Sequence, residues 1–251
     1  MLKPDLRVDV VIPVYNEERA LPPSIAALHA FLGAELPVDW RIVIADNASI
    51  DDTPAVGRAL AEQYGRVHYL RLEQKGRGRA LRRAWSESDA DIVSYMDVDL
   101  STNLGAFVPL VEAIAGGGYD VAIGSRLARG ARVTRQWKRE LISRGYNLLI
   151  KLFFPRRTFA DAQCGFKAVS RRAVDRLLPL VENNHWFFDS ELLLRAQQLG
   201  YRIAEVPVEW IEDLDTRVKI AKTALEDVRG LIRVRLSSPP TALRPIRPPT
   251  A

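Results

Sequence analysis

The chain has 251 residues, of which 47% are hydrophobic and 27% are charged. This composition provides apolar material for a core and excludes a largely disordered or fibrous chain. A single cysteine excludes an internal disulfide framework and a cysteine-rich zinc site, and it is typical of a reducing compartment. The formal net charge is +5, but residues 126–157 alone hold ten basic residues and one acidic residue, so the positive charge is concentrated in one segment.

Short apolar runs alternate with helical patterns over the first 125 residues. This alternation predicts an α/β fold with a mostly parallel sheet and crossover helices. The predicted strands cover residues 8–14, 41–45, 67–72, 92–96 and 121–123. Polar joints follow the first four strands at residues 15–17, 46–49, 73–78 and 97–99. Because ligands of open α/β sheets bind beyond the carboxyl ends of the strands, we expect these joints to form the rim of an active site.

The second half of the chain is less regular. Its basic segment, residues 126–157, carries apolar and aromatic residues at helix-like spacing. This pattern suits an anionic surface, either phospholipid headgroups, a lipid phosphate or nucleic acid, but it is equally typical of a solvated helix packed on the core. We predict a helix at 190–199, a strand at 202–208 and an amphipathic helix at 218–232. Five prolines and no periodicity predict a disordered tail over 237–251.

Two carboxylates, Asp97 and Asp99, directly follow the predicted strand at 92–96. Paired carboxylates at a strand end suit Mg2+ or Mn2+, which would neutralise a diphosphate. A D-x-D triplet also occurs by chance in solvated turns. Its context favours a site, because a third carboxylate, Asp46, ends an earlier strand and Pro-Val-Tyr-Asn-Glu ends the first.

With these motifs the chain resembles the family 2 glycosyltransferases of GT-A fold, in particular the polyprenyl-phosphate or dolichyl-phosphate hexosyltransferases. The resemblance covers residues 8–235 and rests first on VVIPVYNEE, IVIADNASIDDT and MDVDLST. It implies that Asp97 lies near the nucleotide and Asp99 on the metal. The other side chains that it implies on the base and ribose are Pro13, Tyr15, Glu17 and Asp46.

Later motifs resemble this subgroup more specifically. GSRLARG and WKRELISRGYN resemble its acceptor-phosphate region and imply Arg126, Arg139 and Ser143 as phosphate ligands. DAQCGFK and WFFDSELL resemble the elements that close over the sugar, and DTRVK resembles a segment that supplies Arg217 to the donor diphosphate. The candidate residues of the closing elements are Asp161, Gln163, Asp189 and Glu191. The glycine-rich segment at 75–79 lacks the spacing of a phosphate loop, and we expect Lys75 or Arg79 to lie near the donor phosphates.

The resemblance implies a domain over residues 1–236, with a nucleotide-sugar half at 1–125 and an acceptor half at 126–236. It implies transfer from a nucleotide sugar to a polyprenyl phosphate with inversion at the anomeric carbon. UDP-glucose is the favoured donor, because DAQCGFK is similar to the glucosyl branch, and GDP-mannose is the alternative. A phosphate acceptor is already ionised and needs no strong base, whereas a sugar hydroxyl would need one, for which Asp189 is the candidate. Ser101 stands where several relatives carry a metal-contacting glutamine.

The chain contains no run of ~18 to 20 apolar residues of the kind that spans a membrane, and its first residues lack a signal peptide's apolar segment. We therefore expect a cytoplasmic enzyme, peripheral at the inner face of the membrane. A separately encoded membrane partner is compatible with the sequence, but no residue indicates one.

Three other functions compete with this hypothesis. A basic nucleic-acid-binding module would explain the segment at 126–157 but not the carboxylates at the strand ends, so we expect no nucleic acid partner. A dinucleotide-dependent oxidoreductase is disfavoured, because no G-x-G-x-x-G follows the first strand. A family 2 enzyme with a soluble or polysaccharide acceptor stays open.

Overall fold

The computed structural model of the chain describes residues 2–134, 137–211 and 220–237, with residues 138–142 and 220–224 described by their backbone alone. A seven-stranded sheet has the strand order β3-β2-β1-β4-β7-β5-β8. Its strands are β1 (Arg7–Val14), β2 (Asp39–Asn47), β3 (Val67–Leu72), β4 (Ile92–Met96), β5 (Val121–Ser125), β7 (Phe166–Ser170) and β8 (Ile203–Pro207). A small parallel pair, β6 (Arg132–Thr134) and β9 (Glu209–Ile211), lies outside it.

The sheet is mixed, which differs in one place from the pattern that the sequence predicts. The six predicted strands are confirmed as β1 to β5 and β8. The seventh, β7, runs antiparallel to both β4 and β5 in the middle of the sheet, where sequence reasoning assigned no strand. Its second residue, Lys167, is fully buried, and this charge interrupts the apolar run that would otherwise indicate a central strand.

Eight helices of the described residues flank the sheet. They are α1 (Leu21–Glu35), α2 (Thr53–Gln63), α3 (Arg77–Glu87), α4 (Phe107–Ala115), α5 (Trp137–Phe153), α6 (Arg171–Leu177), α7 (Phe188–Gln198) and α8 (Ile220–Leu236). Helices cover both faces, so β1 buries its residues on both sides: Val10 and Ile12 belong to one apolar cluster and Val11 to the other. This explains why the first strands read as continuous apolar runs.

The predicted helix at 190–199 is confirmed as α7. The predicted amphipathic helix at 218–232 is confirmed as α8, although its first two residues lie outside the described part of the chain. Only Ser237 of the predicted tail is described, so disorder of that tail stays a prediction. Within the described residues, no helix combines the length and the apolar character that crossing a bilayer requires.

Candidate active site

The candidate site lies at the carboxyl edge of three neighbouring parallel strands, β2, β1 and β4. Within the described residues, three non-glycine residues have a left-handed backbone: Asn16 (φ 56°), Ala48 (φ 61°) and Leu100 (φ 49°). One follows each of these three strands. Such conformations cost of order 1 to 3 kcal/mol and persist only where the surroundings impose them, which is common at functional sites.

Hydrogen bonds between the loops after β1 and β2 hold this backbone in place. The Asn16 amide donates to Ser49 Oγ at 3.0 Å, and the Ile50 amide donates to Asn16 Oδ1 at 2.9 Å. The Glu17 amide donates to Thr53 Oγ1 at 2.8 Å. The two loops therefore form one rigid rim. Pro13, half-buried in β1, lies just inside it.

Asp46 ends β2 with its side chain fully buried. Its carboxylate accepts hydrogen bonds from Tyr69 Oη at 2.5 Å, from Arg71 Nη1 at 2.9 Å and from the Ser49 amide at 2.9 Å. Burial and the bond to Asp46 raise the pKa of Tyr69 to about 12, so the phenol stays a donor at neutral pH. Asp46 is thus held by three donors, and it fixes one wall of the site.

The glycine-rich segment at 75–79 leads into α3 directly beside this rim. The Gly76 amide donates to Asn47 Oδ1 at 2.5 Å, and a Cβ atom at Gly76 would lie 2.5 Å from the Asn184 carbonyl oxygen. Only glycine therefore fits this approach of two backbones. The Lys75 ammonium lies 3.2 Å from the centre of the Tyr15 ring, a cation–π contact that brings two predicted donor-binding residues together.

Asp97 and Asp99 occupy the loop after β4. The Asp97 side chain is 47% exposed, and Asp99 is exposed and accepts a hydrogen bond from the Ser101 amide at 2.9 Å through Oδ1. A Cβ atom at Gly165 would overlap the Asp97 carboxylate, so this glycine makes room for it. Within the described residues, no group of three or more His, Cys, Asp or Glu side chains is arranged to hold a metal ion.

The chemistry of the two carboxylates still fits a divalent cation. Asp97 and Asp99 offer hard oxygen atoms at the open edge of the sheet, and Mg2+ usually takes one or two protein carboxylates and completes its coordination with phosphate oxygens and water. The site therefore suits a metal that arrives with a diphosphate better than one bound by the protein alone.

A guanidinium group bridges this loop to α7. Arg77 Nη2 lies 2.8 Å from Asp97 Oδ1, and Arg77 Nη1 lies 2.6 Å from Asp189 Oδ2. The Arg77 side chain is 10% exposed and lies against two aromatic rings, with 4.8 Å to the centre of Tyr95 and 5.3 Å to that of Trp186. Burial lowers the pKa of Arg77, but the two carboxylates outweigh this and raise it well above its ordinary value. Arg77 is therefore permanently cationic.

Asp189 is 4% exposed and surrounded by donors. Its Oδ1 accepts a hydrogen bond from Tyr95 Oη and forms an ion pair with Lys167 Nζ at 3.1 Å, while its Oδ2 accepts from Arg77. Lys167 also donates to the Cys164 carbonyl oxygen at 2.5 Å. Burial raises the pKa of Asp189, but the charges of Lys167 and Arg77 outweigh burial and hold it below the ordinary value. Asp189 is a stabilised carboxylate with little tendency to accept a proton.

Arg126 follows β5 and forms a second buried ion pair. Its Nε and Nη2 atoms lie 2.7 and 2.8 Å from the two oxygens of Asp161, and its guanidinium carbon lies 5.4 Å from the centre of the Trp210 ring. Burial lowers the pKa of Arg126, but Asp161 and, to a smaller extent, Asp97 raise it above the ordinary value. The same pairing holds the pKa of the buried Asp161 below its usual range.

The remaining predicted residues lie in different places. The Gln163 amide donates to Asp161 Oδ1 at 3.2 Å, which places Gln163 beside the Arg126 pair. Glu191 lies on α7 but accepts hydrogen bonds from the amides of Glu182 and Asn183, away from Asp189. Ser143 is half-buried on α5, and Arg139 lies on the same helix where only the backbone is described. Arg217 lies outside the described residues.

Sequence reasoning missed Arg77, Tyr95 and Lys167 as members of the site. Two of them, Lys167 and Arg77, carry a signal in the sequence. Lys167 is a charge within an apolar strand, and a buried lysine requires a partner. Arg77 stands between Gly76 and Gly78, and a Cβ atom at Gly78 would lie 2.7 Å from Phe188 Cβ, so the segment packs closely on α7.

Comparison with known proteins matches this geometry to one family. The family model described as "Glycosyl transferase family 2" matches residues 9–178. Dolichyl-phosphate beta-glucosyltransferase of Drosophila melanogaster is 31% identical over 223 residues, covering 83% of this chain and 68% of that protein. Glycosyltransferase AglD of Haloferax volcanii is 40% identical over 222 residues, which are 88% of this chain. The chain spans only 35% of the length of that relative.

A solved structure confirms the fold. Glucosyl-3-phosphoglycerate synthase from Mycobacterium tuberculosis, in complex with Mn2+, uridine diphosphate and phosphoglyceric acid, superposes with a TM-score of 0.71 at 22% identity. The match covers 94% of this chain and 80% of that protein. The mostly parallel sheet, the position of the D-x-D loop and the family match agree with one another: the chain belongs to glycosyl transferase family 2 and has the GT-A fold.

Proposed function

We propose that this glycosyltransferase moves a hexose from a nucleotide sugar, UDP-glucose, to a polyprenyl phosphate of the dolichyl type. The acceptor proposal has two supports, the 31% identical relative named as a dolichyl-phosphate beta-glucosyltransferase and the chemistry of the site. The proposed reaction is a single displacement that inverts the anomeric carbon.

The observation that carries the acceptor class is the state of Asp189. A hydroxyl acceptor needs a general base, and a useful base has a pKa near the working pH and a free lone pair. Asp189 has a lowered pKa, and its two oxygens already accept from Tyr95 and Arg77 and pair with Lys167. The other two carboxylates buried at this edge, Asp46 and Asp161, are likewise held by arginine. A phosphate monoester has a second pKa near ~6 and attacks without a base.

We assign the donor diphosphate to the edge between Lys75 and the D-x-D loop. Asp97 and Asp99 would hold Mg2+ or Mn2+, and this cation supplies electrostatic stabilisation of the leaving diphosphate. Tyr15, Glu17, Asp46 and Pro13 line the adjacent rim and are assigned to the nucleotide. Arg217 is kept as a further candidate for the diphosphate.

We assign the acceptor phosphate to Arg126. Its side-on fork on Asp161 uses Nε and Nη2, which leaves Nη1 directed away from that carboxylate. A fixed guanidinium loses little freedom on binding, and it compensates the charge of a phosphate that must approach a diphosphate. Arg139 and Ser143 on α5 and Gln163 near Asp161 are the further candidates for this end of the site.

The acceptor proposal requires contact with a membrane, and α5 presents a suitable surface. Trp137, Leu148 and Leu152 are 68%, 58% and 71% exposed, and at 100° per residue they share one face of the helix with the exposed Arg144 and Lys151. Apolar and basic side chains on one exposed face are typical of helices that lie in an anionic lipid interface. We call this set the α5 outer face.

Buried side chains of α5 contact residues next to the site. Tyr146 Oη lies 2.8 Å from Ser190 Oγ, next to Asp189, and Asn147 Oδ1 accepts from the Ala162 amide at 3.3 Å, next to Asp161. A single helix therefore has buried side chains against the chain neighbours of Asp189 and Asp161 and an outer face in solvent. This arrangement suits an acceptor whose phosphate enters the site while its chain stays in the lipid.

Two acidic substitutions on the α5 outer face should weaken membrane binding without changing donor hydrolysis. We expect the double variant Leu148→Glu, Leu152→Glu to bind anionic vesicles at least tenfold less tightly, since a leucine removed from water contributes ~1.5 to 3 kcal/mol. Co-sedimentation with vesicles of phosphatidylserine and phosphatidylcholine measures this. Donor hydrolysis in solution should stay unchanged. Ala55→Glu, Ala59→Glu adds the same charge to exposed positions of α2 and serves as the control. Equal loss in both double variants, or none in either, would contradict the assignment of this face.

The function itself is tested by sugar transfer into the organic-extractable fraction. Labelled UDP-glucose and GDP-mannose are compared, each with and without polyprenyl phosphate, in Mg2+, Mn2+ or EDTA. We expect label in the lipid phase only with UDP-glucose, metal and lipid phosphate together. Donor hydrolysis without any lipid labelling would overturn the acceptor assignment, and transfer in EDTA would overturn the metal assignment.

A further inference from the structure

Arg77 holds the position of a counter-ion to Asp97. The distance from Arg77 Nη2 to Asp97 Oδ1 is 2.8 Å, which is the distance of a charge-assisted hydrogen bond. Asp97 is one of the two carboxylates assigned above to the metal. One oxygen of that carboxylate is therefore already engaged by a cation that belongs to the protein.

Asp189, the second carboxylate that pairs with Arg77, is also neutralised by Lys167. Asp189 pairs with Lys167 at 3.1 Å, and both of those side chains are buried, with 6% and 0% of their side-chain surface exposed. The four groups Arg77, Lys167, Asp97 and Asp189 together carry no net charge. Of the two carboxylates assigned to the metal, only Asp99 lies outside this balanced set, and a divalent cation at Asp97 would lie close to a like charge on Arg77.

A diphosphate changes this balance. It brings negative charge of its own and offers oxygen atoms both to a metal and to a guanidinium. Arg77 is the first residue of α3 and directly follows Lys75 and Gly76, which form the edge assigned to the donor. A phosphate bound at this edge would therefore lie near the Arg77 side chain. On this charge balance, metal and diphosphate would bind favourably together, whereas the metal alone would bind poorly.

We propose that Arg77 is a resident counter-cation of Asp97 that makes metal binding conditional on the nucleotide diphosphate. The inference rests on the proposed function, because it uses the assignment of metal and diphosphate to this edge. Arg77 is thereby a positioning residue: it acts on the metal through Asp97. If Arg77 has this role, the protein without nucleotide binds a divalent cation only weakly at Asp97, and the cation enters together with the nucleotide sugar.

Titration of Mn2+ alone into the protein tests this directly, with binding followed by calorimetry or by the electron paramagnetic resonance signal of free Mn2+. We expect the unmodified chain to bind Mn2+ weakly without nucleotide and much more tightly with uridine diphosphate. Arg77→Gln should bind Mn2+ about tenfold more tightly than the unmodified chain in the absence of nucleotide. We expect a tenfold increase in affinity because Asp97 is partly exposed, so its ion pair with Arg77 is stronger than an exposed pair and weaker than a buried one. A residue that only supports the fold would not increase metal affinity when it is removed.

Two further variants keep the test decisive. Arg83→Gln removes the same charge from an exposed position of α3 and should leave Mn2+ binding unchanged. Arg77→Lys keeps the charge but cannot bridge both carboxylates, so we expect its Mn2+ affinity without nucleotide to increase by about threefold. This variant provides the test if Arg77→Gln does not fold. Equal Mn2+ affinity in all three variants and the unmodified chain, with uridine diphosphate still promoting binding, would overturn the role of Arg77 and leave the proposed function standing. If the unmodified chain binds no Mn2+ even with uridine diphosphate, the metal assignment and the inference both fall.

Discussion

Replacement of Asp99 by alanine should reduce sugar transfer by ~10^2 to 10^3-fold while the protein stays folded. A metal-held diphosphate loses the main stabilisation of its developing charge when a ligand is removed, and one lost electrostatic contact of this kind costs ~10^2 to 10^3 in rate. Asp99 is exposed, so its removal leaves no cavity in the core. We therefore expect a melting temperature within about one degree of the unmodified chain.

The measurement is lipid-phase labelling together with thermal unfolding by circular dichroism. Asp39→Ala is the matched control, because Asp39 is also an exposed carboxylate and lies at the start of β2, at the opposite end of the parallel strands. The control should retain full transfer. Full transfer in Asp99→Ala would remove the D-x-D loop from the metal assignment.

Asp189→Asn should have the largest effect on stability. The substitution keeps the shape of the side chain but leaves Arg77 and Lys167 without the anion between them. Removal of one partner from a buried ion pair costs ~3 to 5 kcal/mol, because the remaining charge stays desolvated. Denaturant unfolding at pH 7 measures this loss. Asp175→Asn, which removes a 61% exposed carboxylate from α6, should change stability by less than ~1 kcal/mol.

The pH dependence of this loss follows from the pKa of Asp189. The folded-state pKa is lowered relative to its ordinary value, so the carboxylate stabilises the fold fully above the unfolded pKa of ~3.9. That stabilisation is lost only as the pH falls through the folded pKa. We expect the difference between Asp189→Asn and the unmodified chain to stay constant from pH 6 to 8 and to shrink below about pH 4.

The same variant distinguishes a base from a supporting carboxylate. If Asp189 were the base, Asp189→Asn would abolish transfer at every pH, in addition to the loss of stability. If it orients Arg77, transfer falls together with stability, and Mn2+ binding without nucleotide changes as well. Complete rather than partial loss of transfer, under conditions in which Asp189→Asn is still folded, would therefore refute the proposal that the nucleophile arrives already ionised.

The donor side of the site was accessible from the sequence because its signals are local. Strands buried on both faces read as apolar runs, and a polar joint at the end of such a run must lie at the carboxyl edge of the sheet. This reasoning groups Asp46, Asp97 and Asp99 from the order of the residues alone. It cannot add Arg77 to them, because the two partners of Arg77 are 20 and 112 residues away in the chain.

The sequence by itself determined the α/β architecture, the positions of β1 to β5 and β8, the family and the carboxylates at the strand ends. Each of these depends on a periodicity of two or 3.6 residues or on a short motif, which the neighbouring residues of the chain define. The tertiary structure decided the rest: that β7 inserts antiparallel between β4 and β5, and that Lys167 on this strand meets Asp189 and, through it, Arg77. Strand insertion and ion pairing depend on which distant segments come together, and a buried charge finds its partner only when the whole sheet has formed.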